Sequence, residues 1–141
     1  MALAHKHKQN PLFKEKQQVI ISSYIYIPVS DLEKSASWYE KNWGFKVVYK
    51  DALYYDIRTE NGVKIMLIPN ENNIISQMKY PTGEQPAYGF IVDDFDEIKR
   101  ALQTNGVKTG EVFDYFGHSF SFFDLDGNKI EIWEKYEYES K

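Results

Sequence analysis

The plan of this chain occurs twice. An extended apolar stretch around Ile25 and Ile27 leads to Val29-Ser30-Asp31, an amphipathic segment follows, and Gly44 precedes the next extended run. The stretch from Tyr88 leads in the same way to Val92-Asp93-Asp94, an amphipathic segment and Gly106. Val29 and Val92 are 63 positions apart, as are Asp31 and Asp94, and Gly62 and Gly127 are 65 apart. A period this long exceeds that of solenoid repeats and implies one duplicated half-domain. With 141 residues, 43% hydrophobic and 27% charged, the chain has the composition of a single globular domain.

Within each half the order reads β-α-β-β-β. In the first, a strand is expected over 22–28 and a capping box at Ser30 and Glu33, with Leu32, Ala36, Tyr39 and Trp43 at helical spacing. Strands over 46–50, 53–58 and 63–68 follow, the last two joined through Asn61-Gly62. In the second, a strand over 88–92 leads to a helix capped by Asp94, with Glu97 three residues on and Asn105-Gly106 at its end. Strands over 109–113, 119–124 and 129–133 complete it. Residues 1–18 read as a polar tail, 19–134 as one domain with modules over 19–69 and 87–134, and 135–141 as a charged tail. The linker over 70–86 is long enough to cross the sheet or cover a pocket.

Composition removes several function classes. There is no cysteine, so thiolate metal sites, iron–sulfur clusters, disulfides and cysteine nucleophiles are excluded. A formal charge of −4, with only Arg58 and Arg100 as arginines, argues against nucleic acid as a partner. The apolar runs are too short to cross a bilayer, and the expected location is the cytoplasm. Asp124, Asp126 and Asn128 suggest a calcium loop, but Gly127 comes too early and Lys135 stands at the twelfth position, so a hairpin turn is the better reading. His5 and His7, on the tail, make a poor metal site.

Paired βαβββ modules, the Val-x-Asp after each first strand, Trp38-Tyr39, Gly44-Phe45 and the segment Asp124-Leu125-Asp126-Gly127-Asn128-Lys129-Ile130-Glu131 resemble the glyoxalase, bleomycin-resistance and extradiol-dioxygenase superfamily, the vicinal oxygen chelate proteins. The resemblance implies an α+β fold in which tandem modules form a cupped mixed sheet around a binding site. It also implies a divalent metal held on the first and last strands of the modules. The corresponding positions are Tyr24, Met66, Ala87 and Glu131, of which only Glu131 matches the usual ligand. No cofactor is therefore expected, the alternative being a rebuilt divalent site at Glu131 and His118.

Strand alternation assigns the faces independently. Ile25, Ile27, Val63, Ile65, Leu67, Phe120, Phe122, Ile130 and Ile132 form the parity expected beneath the helices. Their alternates face the cup, giving a candidate ligand-binding set of Tyr24, Tyr26, Met66, Ser119, Ser121, Phe123, Glu131 and Trp133. Lys64, Ile68 and Lys129 share that parity, whereas His118 begins on the opposite one. Aromatic rings, hydroxyls and one acid suit a planar or aromatic small molecule, bound without the usual metal. The alternatives are an enzyme of the superfamily, either a metal-dependent lyase, isomerase or dioxygenase or a metal-free acid–base catalyst using Glu131, and an interaction module with a filled cup. A homodimer is expected, with no membrane partner.

Overall fold

Asp31 begins the first helix: its backbone is extended and its carboxylate accepts the Lys34 amide proton at 3.0 Å. The expected box at Ser30 and Glu33 is thus displaced by one residue. Ser30 instead offers its amide to the Asp126 carboxylate at 2.9 Å, 96 positions away. The second helix begins as expected, with Asp94 accepting from the Glu97 amide. At the end of the first helix Gly44 takes φ +76°, a left-handed conformation that costs glycine nothing.

The computed structural model describes residues 18–135 together with Pro11 and Glu15. His5, His7 and most of both tails lie outside the described residues. The first module comprises β1 (Ile25–Val29), α1 (Leu32–Trp43), β2 (Lys46–Lys50), β3 (Tyr55–Arg58) and β4 (Lys64–Pro69). A hairpin, β5 (Gln77–Tyr80) and β6 (Gly83–Pro86), occupies the linker. The second module comprises β7 (Gly89–Val92), α2 (Phe95–Thr104), β8 (Phe113–Asp114), β9 (His118–Phe123) and β10 (Lys129–Glu134). The fold is α+β, with each module forming its own mixed four-stranded sheet in the order β1-β4-β3-β2 or β7-β10-β9-β8. In both, the first strand runs parallel to the last and the remaining pairs are antiparallel. The strand expected over 109–113 shrinks to Phe113–Asp114, and Thr109 makes only an isolated bridge to Phe122.

The apolar parity is buried as read, apart from Ile25, which is half-buried, and Val63, which is exposed. Much of the aromatic content joins the modules. Trp43 of α1 packs against Phe90 of β7 and Phe122 of β9, with ring centroids 5.4 and 5.0 Å apart, and Trp38 stacks on Phe122. Helix α1 therefore shares one core with the second sheet, and burying rings of this size supplies a large apolar driving force.

A polar cluster reinforces that junction. Asp124 accepts the Tyr39 hydroxyl at 2.8 Å, the Asn128 side-chain amide at 2.9 Å and the backbone amides of Asp126 and Asn128. Asn128, fully buried, also donates to the Pro28 carbonyl and accepts from the Ser76 amide. The Asp-x-Asp-Gly-Asn segment is thus a hairpin turn that clips the second module to β1 and to the linker. Burial raises the Asp124 carboxyl above its ordinary value despite these donors, and burial followed by the neighbouring Asp124 charge raises the Tyr39 hydroxyl well above its own.

Candidate functional site

The second sheet presents Ser119 and Trp133, Ser121 and Glu131, and Phe123 and Lys129 as cross-strand pairs on the face away from the helices. Over this face lies an open cavity of about 620 Å³. Ser119, Ser121, Lys129, Glu131 and Trp133 form its floor, Phe113, Asp114 and Tyr115 one rim, and Gln85 and Pro86 of the hairpin another. The Trp133 indole N–H donates to the Glu131 carboxylate, fixing its orientation and setting an aromatic plane beside a negative charge. Gly89, the register partner of Glu131, lets β7 approach closely: a Cβ there would fall 2.2 Å from the Glu131 carbonyl oxygen.

The hairpin is held at the start of β10. Gln77 accepts the Lys129 amide proton at 3.3 Å and donates to Glu84 at 2.7 Å, while the Lys129 ammonium reaches the Glu84 carbonyl at 3.5 Å. These contacts bring Gln85 and Pro86 to the cavity, and sequence reasoning missed both because the linker carries no alternating apolar pattern. Phe113, Asp114 and Tyr115 were missed for a related reason: their strand buries nothing, so its parity could not be read.

The expected ligand set is divided between two sheets. Ser119, Ser121, Glu131 and Trp133 meet in the cavity. Phe123 lies on the same face but outside the lining, with the ammonium groups of Lys108 and Lys129 4.8 and 6.0 Å from its ring centre. Tyr26 and Met66 are register partners in the first sheet, with Tyr24 just before β1, and in that sheet Asp56 is buried between Arg58 and Lys64 at 3.1 and 3.3 Å. Burial is the largest single influence and would raise the Asp56 carboxyl, but the hydrogen bonds and charges of Arg58 and Lys64 together outweigh it and leave the group below its ordinary value.

The sequence profile described as "Glyoxalase/Bleomycin resistance protein/Dioxygenase superfamily" matches residues 21–132. The chain belongs to this superfamily. Its fold is shared with TnmS3, an antibiotic-binding protein from Streptomyces sp. CB03234, at 21% identity over 84% of this chain and 98% of that one, with a TM-score of 0.63. It is also shared with the genomically encoded fosfomycin resistance protein FosX of Listeria monocytogenes, at 16% identity, 88% and 100% coverage and a TM-score of 0.67. Lactoylglutathione lyase of Agrobacterium tumefaciens matches at 16% identity, 84% and 96% coverage and 0.63. No curated protein matches the chain by sequence.

The donor set of this glyoxalase-superfamily chain does not fit the metal such folds often hold. Tyr24, Met66 and Ala87 occupy expected ligand positions, and among the described residues no three His, Asp or Glu side chains are grouped to hold an ion. Nor does His118 join Glu131. It turns to the helix side of the sheet, with its ring against Phe95 and Nδ1 3.1 Å from Glu134 on the opposite parity of β10. The hydrogen bond and charge of Glu134 raise the His118 pKa above its ordinary value.

Proposed function

We propose that this protein binds a planar or aromatic small molecule in the cavity of the second sheet and does so without the usual metal. The observation that carries this reading is the pairing of Trp133 with Glu131 on the cavity floor, between hydroxyls and the aromatic rim. An indole plane takes up a flat apolar ligand, and an oriented carboxylate adds a charge-assisted contact to a cationic or hydrogen-bond-donating edge. The volume is that of an ordinary small-molecule site. TnmS3, described as antibiotic-binding, makes sequestration or sensing of such a compound a natural setting.

The test is a panel of planar aromatic compounds, cationic and neutral, followed by quenching of tryptophan fluorescence. Binding should quench the wild type, and Trp133→Phe should lose most of the signal. For cationic members, Glu131→Gln should weaken binding about tenfold or more, the equivalent of roughly 1.5–3 kcal/mol for a charge-assisted hydrogen bond. Unchanged affinity in Glu131→Gln for every cation bound would reduce that carboxylate to a remnant of a metal position.

A further inference from the structure

Charge on the cavity floor is separated rather than paired. Lys129 and Glu131 stand two residues apart on β10 and both line the cavity, yet each is directed elsewhere. The Glu131 carboxylate accepts the Trp133 indole N–H, whereas the Lys129 ammonium reaches the Glu84 carbonyl at 3.5 Å and lies 6.0 Å from the Phe123 ring centre. A second ammonium, that of Lys108, lies 4.8 Å from the same ring centre. Among the described residues neither lysine has a carboxylate within ion-pair distance.

The floor therefore has a direction. Its positive end lies at Lys129, Lys108 and Phe123, beside the hairpin. Glu131 follows along β10, and Trp133 forms the aromatic end, paired across the sheet with Ser119, which pairs in turn with Phe113 of the rim. Asp114, the remaining charged lining group, stands on that rim as well. Alternate residues of a strand are about 6.6–6.8 Å apart, so cation, carboxylate and indole succeed one another over about 13 Å. A ligand that brings only a cation to Glu131 also meets two ammonium groups at the next position. A ligand that carries an anion there replaces this repulsion by attraction, and Lys129, being half-buried, is screened less than a surface lysine.

We propose that the ligand is an aromatic α-amino acid: its carboxylate meets Lys129, with Lys108 behind, its ammonium meets Glu131, and its ring lies against Trp133. The inference rests on reading this cavity as the site for a planar molecule, and it adds the class of that molecule and the direction in which it lies. The order of groups matches the order of residues. In such an amino acid one carbon carries both charges, and the ring follows a methylene further on. Ser121, directly across from Glu131, adds a hydroxyl that accepts from the ammonium.

Three compounds sharing an indole ring test this: tryptophan, tryptamine, which lacks the carboxylate, and indole-3-propanoate, which lacks the ammonium. Each is titrated by calorimetry into the full-length protein. Tryptophan should bind about tenfold more tightly than either fragment, the effect of one charge-assisted contact. Lys129→Met should bring tryptophan down to the affinity of tryptamine while binding tryptamine no less tightly than wild type does. Lys129→Arg should keep the preference, which separates the charge from any loss of the contact with Glu84. Equal affinity of tryptophan and either fragment for the wild type, or a preference that survives in Lys129→Met, would overturn the inference and leave the planar-ligand reading standing. If none of the three binds at millimolar concentration the inference falls too, and the wider panel of planar compounds then decides that reading by itself.

Discussion

Asn128 ties the second module to β1 and to the linker. Its amide donates to Pro28 of β1 and to Asp124, and its oxygen accepts from Ser76 of the linker, all with no exposure to solvent. Asn128→Ala leaves the Pro28 carbonyl and the Ser76 amide without these partners, and an unsatisfied buried group costs about 1–3 kcal/mol. The expected destabilisation is about 2–4 kcal/mol, a fall in Tm of roughly 6–16 °C for a domain of this size, read by thermal unfolding. An unchanged Tm would show that these bonds contribute nothing net. The segment that holds it reads from sequence as a hairpin turn; its long-range partners at Ser76 and Pro28 are invisible because no local pattern encodes contacts 52 and 100 positions away.

At the scale of elements, what could be read was whatever repeats locally. Period-two alternation separated the core face of β4, β9 and β10 from the open face, because a strand's side chains have only two directions to take. Alternation says nothing about which sheet lies beside which: Tyr26 and Met66 stand on the first sheet, with Tyr24 just before it, and Glu131 stands on the second. The β5–β6 hairpin has no buried face and is held by Gln77, Glu84 and Lys129, which is why it was read only as a long linker. Short β8 is similarly supported from outside itself: Asp114 pairs with His118, whose ring lies against Phe95 and between Glu134 of β10 and Asp114, with Asp96 of α2 adding charge. All three carboxylates favour the protonated ring, so its folded pKa stands above the ordinary histidine value near 6.5. The stabilisation is therefore fully present below about pH 6.5 and is lost as pH rises through the higher folded value. The Tm advantage of wild type over His118→Gln should shrink between about pH 6 and pH 9, and a constant difference would remove His118 as its source.

For the whole molecule, the open faces of both sheets pose the same question. Tyr24 and Tyr26 at one and Ile91 and Phe113 on the other are half or more exposed, and apolar side chains grouped on an open face mark interaction surfaces. We expect a homodimer that covers part of this surface, detected as twice the chain mass by light scattering at tens of micromolar; a monomer there would overturn the expectation. Metal content tests the cavity at the same scale. Holding an ion with positions left for substrate takes about three protein ligands, and of the four positions implied by the superfamily only Glu131 offers an ordinary one, while His118 faces Glu134 across the sheet. Protein stripped with chelator, exposed to zinc, nickel, manganese or iron and dialysed should therefore retain less than one equivalent. The measurement is made in parallel on His5→Ala/His7→Ala, because those two histidines are metal donors in their own right. Stoichiometric metal that survives in the double variant and disappears in Glu131→Gln would place an ion in the cavity and overturn a metal-free site.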